Sequence, residues 1–250
     1  MLPAVLVTGG ARRIGAAIAA AFGHGGWHVI IHHRDSHDEA DNLAASLPSA
    51  EVVSCDLGDS DAALAMIAGI AARCSDWRVL VNNASVFKFD GPGLLDPGIF
   101  AEAMAVNAAT PVRMAQSFLA QSRAAGGRRV IQLTDQKLVN PNPDFLSYTM
   151  AKHALAATIS MMAMAAPDPA DRIYGLAPGA SLPSFDQFDA EHEISGRLNL
   201  LGRLTAPEEL AEAALWLSHG WLASGETLLV DSGLHLVPQP RDVMFMARQR

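Results

Sequence analysis

The stretch AVLVTGGARRIGAAIAAAF, residues 4–22, decides the fold of this chain. Its first part, Ala4–Thr8, has the composition of a buried strand, and Ile14–Phe22 has that of a helix. The glycines in the turn between them allow a sharp bend and let backbone N–H groups approach a pyrophosphate in front of the helix dipole. A glycine-rich turn alone is a weak signal. Its position between the first strand and a helix favours a dinucleotide-binding loop over an ordinary strand–helix turn.

Apolar runs of strand length alternate with alanine-rich stretches of helical character along the rest of the chain. This alternation predicts an α/β fold, a single doubly wound (Rossmann-type) parallel sheet with helices on both faces. The predicted strands are Ala4–Thr8, His28–His32, Glu51–Ser54, Val79–Asn82, Arg129–Thr134, Arg172–Leu176 and Thr227–Val230. The predicted helices are Ile14–Phe22, Asp59–Cys74, Ile99–Ala124, Tyr148–Met164 and Pro207–Leu217.

No repeat or low-complexity linker interrupts this pattern, so we expect one dinucleotide-binding domain over residues 1–250, with a C-terminal tail over 232–250. The polar stretch Ser181–Asn199 lacks a clear strand and is a candidate flap over a site.

The composition limits the classes of function. The chain has 250 residues, of which 50% are hydrophobic, enough for one large core. It has no apolar run long enough to span a membrane and no signal-peptide pattern, and its two cysteines, Cys55 and Cys74, are expected to be reduced thiols in the cytoplasm. The net charge of −8 argues against nucleic acid or an anionic membrane as the main partner.

The end of the second predicted strand indicates which dinucleotide is preferred. NAD-dependent enzymes usually place an acid here to hold the ribose 2′-hydroxyl, but this chain has His33 and Arg34. Arg12 in the first turn is expected on the same side, and two guanidinium groups suit the bidentate grip of a 2′-phosphate. We therefore predict NADPH as the cofactor, although Asp35 is an unfavourable neighbour for that phosphate.

Other polar residues near these strand ends have alternative interpretations. The histidines at 32, 33 and 37 lack the carboxylate or thiolate pattern of a metal site, so we expect loop histidines near the cofactor and no metal. Asp56, just beyond the third strand, could hydrogen-bond an adenine or cap the helix that begins near Asp59.

Several spaced motifs together resemble the short-chain dehydrogenase/reductase family. They are Thr8-Gly9 with Gly15, Asn82-Asn83-Ala84, Asn107, Tyr148-x-x-x-Lys152 and Pro178-Gly179, and they span almost the whole chain. Arg13 stands where the family usually has a glycine, and Asp135 stands where it usually has a catalytic serine. Both departures, together with the basic pair at 12–13 and the segment N-N-A-S-x-F at 82–87, resemble the branch of pteridine and dihydromonapterin reductases.

The motifs and this resemblance imply a role for each matched position. The cofactor-binding residues would be Thr8, Gly9, Arg12, Arg13, Ile14, Gly15, His33, Arg34, Asp56, Leu57, Asn83, Ala84, Ser85, Tyr148, Lys152, Pro178 and Gly179. The substrate-binding residues would be Arg13, Ser85, Phe87, Asp135 and Tyr148, with Phe87 sandwiching a pterin ring against the nicotinamide. The catalytic residues would be Asp135, Tyr148, Lys152 and Asn107, the last holding a water in a proton relay. Asn107 could instead cap a local bend before Pro111.

Tyr148 and Lys152 lie on one face of a predicted helix, because residues four apart are neighbours there. A free tyrosine has a pKa of about 10. A nearby ammonium group favours the phenolate and is expected to lower the pKa of Tyr148.

Asp135 is the most informative departure from the family pattern. Reduction of a carbonyl builds negative charge on oxygen, which a serine hydroxyl stabilises and an ionised carboxylate repels. Reduction of a pterin C=N bond delivers a proton to nitrogen, and a carboxyl group can supply it directly or through Tyr148 and water. The alternative is that Thr134 is the working hydroxyl and Asp135 is a solvated residue at the strand end; adjacent strand residues point to opposite faces, so both should not face the substrate.

The sequence therefore predicts NADPH-dependent reduction of a pterin, with a dihydropteridine, dihydromonapterin or folate-like C=N bond as substrate. The alternatives are a general carbonyl reductase acting on a 3-oxoacyl thioester or a sugar, and a non-catalytic NADPH-binding sensor, against which the intact Tyr148–Lys152 pair argues. The family is usually tetrameric, so the resemblance implies a homotetramer, and the tail Arg241–Arg250 is a candidate to reach a neighbouring subunit's pocket.

Overall fold

The computed structural model describes residues 2–184 and 187–248. The strands are β1 (Ala4–Val7), β2 (His28–His33), β3 (Ala50–Ser54), β4 (Trp77–Asn82), β5 (Arg129–Leu133), β6 (Arg172–Pro178) and β7 (Thr227–Val230). They form a seven-stranded sheet in the order β3-β2-β1-β4-β5-β6-β7, and every pair is parallel. The predicted doubly wound sheet is confirmed, because the order runs outward from β1 in both directions.

Nine α-helices lie within the described residues. They are α1 (Arg13–His24), α2 (His37–Ser46), α3 (Ser60–Arg73), α4 (Pro97–Met104), α5 (Thr110–Gln121), α6 (Leu146–Met164), α7 (Asp189–Gly196), α8 (Pro207–Ser218) and α9 (Val243–Ala247). None of the helices in this part of the chain is both long and apolar enough to cross a membrane.

The core lies on both faces of the sheet, because side chains alternate along each strand. Val5 and Val7 of β1 pack with α1, α2 and α8 on one face. Ala4 and Leu6 of the same strand pack with α3, α5 and α6 on the other face. Helices therefore cover both faces of the sheet. A ligand can reach it at the loops that follow the carboxyl ends of the strands.

The predicted helix Ile99–Ala124 is wrong as a single element. It is divided into α4, a π-helical turn at Ala105–Ala109, and α5. Pro111 has no N–H to give to the carbonyl of Asn107, four residues earlier, so the regular ladder cannot continue. The backbone widens instead, and the Thr110 N–H bonds to the Ala105 carbonyl, five residues back.

Three helices were absent from the sequence prediction. Helix α2 buries Ala40 alone, α7 falls within the stretch proposed as a flap, and α9 falls within the tail. Residues 185–186 of the flap and 249–250 of the tail lie outside the described residues. The extent of the domain and its single-domain character remain predictions.

Candidate active site

A cavity of about 720 Å³ opens at the carboxyl ends of the strands. It is lined by residues that follow β1, β2, β3, β4, β5 and β6, including Gly9, Arg34, Asp56, Asn83, Asp135 and Gly179. Parallel sheets bind ligands at this edge, near the strand where the order reverses. All the predicted cofactor- and substrate-binding positions line this cavity except Thr8 and Lys152, and Asn107 does not line it either.

The glycine turn after β1 is shaped for close approach by a ligand. Gly9 has φ +60°, in the left-handed region, and a Cβ on Gly15 would lie 2.1 Å from the Gly9 carbonyl oxygen. Thr8 lies behind the turn, where its Oγ1 accepts hydrogen bonds from Asn83 N–H at 2.9 Å and Ala84 N–H at 3.0 Å. Thr8 thus joins the two loops, does not line the cavity, and its assignment as a cofactor contact stays a prediction.

The two arginines of the turn point in different directions. Arg12 Nε donates to Ser36 Oγ at 3.2 Å and lies 3.5 Å from Glu39, both at the start of α2. Arg13, with φ +57°, donates from Nη2 to the Pro183 carbonyl at 2.8 Å, and burial with the nearby Arg12 charge lowers its pKa. Arg12 is thus beside the predicted 2′-phosphate position, and Arg13 faces the loop that follows β6.

His32 lies in β2, as the predicted strand His28–His32 has it, and His33 belongs to the same strand and not to a loop. The Nδ1 of His32 accepts the Gly9 N–H at 3.1 Å, which leaves Nε2 as the donor to the Cys55 carbonyl at 3.1 Å. The side chain is buried, and desolvation lowers its pKa to about 4. A neutral His32 therefore clamps the glycine turn to the end of β3.

The end of β2 also fits an anionic group. His33 is 3% exposed and lines the cavity, and its Nδ1 is buried without a hydrogen-bond partner in the structure. Arg34 is exposed and pairs with Asp35 at 2.6 Å. A 2′-phosphate would compete with Asp35 for Arg34. The cradle at Gly9 and Gly15 and the cations at its rim thus fit a dinucleotide phosphate.

Asp56 does not cap the following helix, so that alternative is wrong. Asp59 caps α3 by accepting from Asp61 N–H and Ala62 N–H. Asp56 accepts instead from Gly58 N–H at 2.8 Å and lines the cavity with Leu57. This position leaves Asp56 available to an adenine.

Asp135 and Tyr148 form the central pair of the cavity. The Tyr148 hydroxyl donates to Asp135 Oδ2 at 2.6 Å, and Asp135 Oδ1 accepts the Lys137 N–H at 2.8 Å. Thr134 is buried on the other side of the strand end, with its Oγ1 3.3 Å from the Leu176 carbonyl. The geometry thus decides between the two neighbours, because Asp135 and not Thr134 faces the cavity.

The pKa of Tyr148 is raised in this pair, whereas the sequence predicts that it is lowered. Asp135 is partly accessible from the cavity yet surrounded by protein, and desolvation raises its pKa, opposed by the hydrogen bond from Tyr148. Burial and the Asp135 charge raise the pKa of Tyr148 well above its usual value. The predicted lowering by Lys152 is therefore wrong, because the carboxyl group is the dominant neighbouring charge.

Lys152 lies beneath the pair, closed off from the cavity. Its Nζ donates to the Leu133 carbonyl at 2.6 Å and lies 5.7 Å from the centre of the Tyr148 ring. Desolvation lowers the pKa of Lys152 to about 8. Lys152 therefore still carries its positive charge for the most part at neutral pH, but it deprotonates more readily than an exposed lysine.

Asn107 lies in the π-helical turn before Pro111 and bonds through its side chain to Val86, and its predicted role in a proton relay stays a prediction. Its Oδ1 accepts the Val86 N–H at 2.8 Å and its Nδ2 donates to the Val86 carbonyl at 2.8 Å. Both polar ends of the side chain therefore hold the segment that carries Ser85 and Phe87, which line the cavity. The side chain is placed to position that segment.

Phe87 belongs to an aromatic group on one side of the cavity. Its ring stacks on Phe145 at 4.0 Å between centroids and meets Tyr148 edge-on at 4.7 Å. Phe145 has φ +55° and immediately precedes α6, the helix that carries Tyr148. Stacking on a flat apolar ring and hydrogen bonding to a carboxyl–phenol pair are thus available to the same ligand.

Sequence reasoning missed Lys137, Asp242 and Met244, which also line the cavity. Lys137 is 3% exposed, and its Nζ donates to the Asp144 carbonyl at 2.7 Å and to Asp242 Oδ2 at 3.1 Å. Its spacing two residues after Asp135 and the apolar run Val243–Phe245 were the available signals. The tail of this chain reaches its own cavity. The expectation that it reaches a neighbouring subunit's pocket stays a prediction.

Comparisons with known proteins agree with the fold of this chain. A family model described as enoyl-(acyl carrier protein) reductase matches residues 9–235. The structure of FolM alternative dihydrofolate reductase 1 from Brucella canis, complexed with NADP, has a TM-score of 0.89 to this chain at 32% identity, covering 96% of each. Pteridine reductase 1 from Leishmania tarentolae is 28% identical over 279 residues, covering 94% of this chain and 96% of that protein.

A ketoreductase is also similar. The structure of the angucycline C-6 ketoreductase LanV with bound NADP has a TM-score of 0.84 at 27% identity, covering 94% of this chain and 96% of that one. The similar proteins thus include reductases named for pteridine or dihydrofolate and reductases named for ketones.

Proposed function

This chain belongs to the short-chain dehydrogenase/reductase family and is an NADP-dependent oxidoreductase, and we propose that it reduces a C=N bond of a pterin. The proposed substrates are dihydropteridine, dihydromonapterin or folate-like compounds. Bound NADPH supplies the hydride, so the protein must orient the substrate and deliver one proton.

One observation carries the proposal, the 2.6 Å hydrogen bond from Tyr148 to Asp135 in a cavity that Phe87 also lines. A ketone oxygen that becomes negative would be repelled by an ionised Asp135 in a site of low dielectric constant. A pterin nitrogen needs a proton instead, and its ring N–H groups can donate to a carboxylate. While it is ionised, Asp135 therefore suits the N–H groups of a pterin ring and opposes a ketone oxygen; once protonated, it can supply the proton that the ring nitrogen needs.

Asp135 and Tyr148 together hold the proton that the substrate nitrogen needs. The raised pKa of Asp135 keeps its protonated form accessible closer to neutral pH than for an ordinary aspartate. Either a protonated Asp135 transfers its proton directly, or Tyr148 transfers its own and is reprotonated by Asp135 across their hydrogen bond. In both routes a new N–H bond forms at the substrate and the pair ends one proton short.

The direct test is a steady-state assay of NADPH oxidation with dihydropterins. We expect turnover with the wild type and a loss of about 100-fold or more in kcat for Asp135→Ser, the size typical of a lost general acid. Thr134→Val is the matched control, because its hydroxyl faces Leu176 and not the cavity, so turnover should be retained. NADPH affinity, followed by cofactor fluorescence, should be unchanged in both variants.

The second candidate function is reduction of a ketone, which the similarity to LanV favours. Rapid reduction of ketones with no NADPH oxidation by dihydropterins would establish this alternative and contradict the proposal. A collapse of NADPH affinity in Asp135→Ser would show that Asp135 is structural. Under the pterin proposal, Asp135→Ser should instead gain activity toward ketones, since a neutral donor replaces a repelling charge.

A further inference from the structure

The C-terminal segment, residues 237–248, folds back across the cavity of its own chain. Asp242, Val243 and Met244 of this segment line the same cavity as Asp135 and Tyr148. Met244 is 4% exposed and packs in one apolar cluster with Phe145 and Tyr148. The segment is therefore a wall of the candidate active site.

Two ion pairs hold the C-terminal segment to the loop before α6. Arg241 grips both oxygens of Asp144, with contacts between 2.7 and 3.0 Å, and Asp144 also accepts the Asp242 N–H at 2.7 Å. Asp242 in turn accepts from the buried Lys137 at 3.1 Å. Pairs that combine charge with several hydrogen bonds in a partly buried setting are worth more than ordinary surface pairs.

These anchors connect the C-terminal segment to the groups that face the substrate. Asp144 immediately precedes Phe145, whose ring stacks on Phe87 and whose position starts the helix of Tyr148. Phe245 extends the same apolar cluster, stacking parallel to Phe145 at 5.9 Å. The segment is fixed through Asp144 to the same loop that places Phe145.

From this placement we propose that the C-terminal segment is the specificity wall of the site in its own chain, and that Met244 sets how large a substituent the substrate can carry. This inference rests on the proposed function in one respect, that the ring stacked on Phe87 is a pterin. Met244→Ala removes the side chain beyond Cβ and so enlarges the cavity beside Tyr148. Met244→Phe places a ring there and so reduces the space for a substituent.

The test measures kcat/KM for two dihydropterins, one with a short side chain and dihydrofolate, whose side chain is long. Met244→Ala should raise the ratio of dihydrofolate to the short substrate by about 10-fold, and Met244→Phe should lower it, in line with the discrimination that one or two methylene groups provide. Met244→Leu, which nearly conserves volume, should keep the wild-type ratio. An unchanged ratio in both Met244→Ala and Met244→Phe, with NADPH affinity intact, would overturn the proposal.

The role of Met244 can be tested even if the enzyme does not reduce pterins. If the enzyme reduces ketones and no pterin, the same variants are assayed with a small and a bulky aromatic ketone, and the expected shift in ratio is the same. Independently of any turnover, hydrogen–deuterium exchange should rise together at residues 145–149 and 243–247 in Arg241→Gln. Arg203→Gln removes a comparable two-oxygen pair with Glu209 away from the segment and should leave both regions protected. Unchanged exchange at both regions in Arg241→Gln would refute the anchoring of the wall.

Discussion

The clamp made by His32 gives a quantitative prediction for stability. The imidazole is 2% exposed, accepts the Gly9 N–H and donates to the Cys55 carbonyl, so it must be neutral to make both bonds. Protonation would place a second N–H against that of Gly9. We expect acid to weaken the folded state through this one residue at a pH where most carboxylates are still ionised.

The size of the effect follows from the pKa of about 4 in the folded chain, lowered from 6.5. Because the folded pKa is depressed, the unfolded chain takes up the proton first, and stability falls as the pH drops from about 7 toward 4. At pH 5 the unfolded imidazole is almost fully protonated and the folded one is mostly neutral. The free energy of unfolding should therefore lose about 2 kcal/mol between pH 7 and pH 5 from His32 alone.

The assay is urea unfolding followed by tryptophan fluorescence at pH 7 and pH 5. His32→Asn keeps an acceptor near the Gly9 N–H but cannot titrate, so its loss of unfolding free energy over this range should be smaller than the wild-type loss by about 2 kcal/mol. His153→Asn, which removes an exposed histidine of α6, is the control. Equal pH dependence in His32→Asn and the wild type would refute the assignment of a buried neutral clamp.

Three further predictions concern the cofactor site and the central pair. Gly15→Ala would place its Cβ 2.6 Å from Asn83 Nδ2 as well as against Gly9, so NADPH affinity should fall by about 10-fold or more in a fluorescence titration; unchanged affinity would contradict the cradle. Arg12→Gln should weaken binding of NADPH by about 10-fold and leave NADH binding nearly unchanged, and an equal loss for both cofactors would remove Arg12 from the 2′-phosphate position. The raised pKa of Asp135 means that the wild type loses stability as the pH rises above the ordinary value of 3.8, so Asp135→Asn should become progressively more stable than the wild type with rising pH in denaturant unfolding; a constant difference would refute that direction.

The parallel sheet could be predicted from the sequence because its signals are local. Every predicted strand is present, since runs such as Val79–Asn82 are apolar over a full strand length and a buried parallel strand needs no more. The glycine turn could also be located from local signals. Gly9 has φ +60° and Gly15 has no room for a Cβ, so both positions require glycine, which the sequence shows directly. The π-helical turn before Pro111 could not be placed, because periodicity does not report how a helix absorbs a missing N–H.

The parts of the site that sequence could not reveal depend on contacts between distant residues. His32 meets Gly9 and Cys55 only because three parallel strands end together, and no spacing along the chain records that meeting. The C-terminal segment is held at the cavity by Lys137 and Asp144, which are about a hundred residues away in the sequence. Sequence alone therefore could not show that the segment folds back onto this cavity. The pKa of Tyr148 was predicted in the wrong direction because the hydroxyl's partner was inferred from helix spacing, whereas the folded chain supplies Asp135 at 2.6 Å.

The role of Asp135 in reducing a pterin is tested most directly by the structure of a ternary complex with NADP and a dihydropterin. We expect the ring to stack on Phe87 with a ring nitrogen within hydrogen-bond distance of Asp135 or Tyr148, in the cavity they line. A pterin bound elsewhere, or bound with Asp135 turned away from every ring nitrogen, would contradict the claim that this carboxyl group replaces a hydroxyl in order to serve a C=N bond.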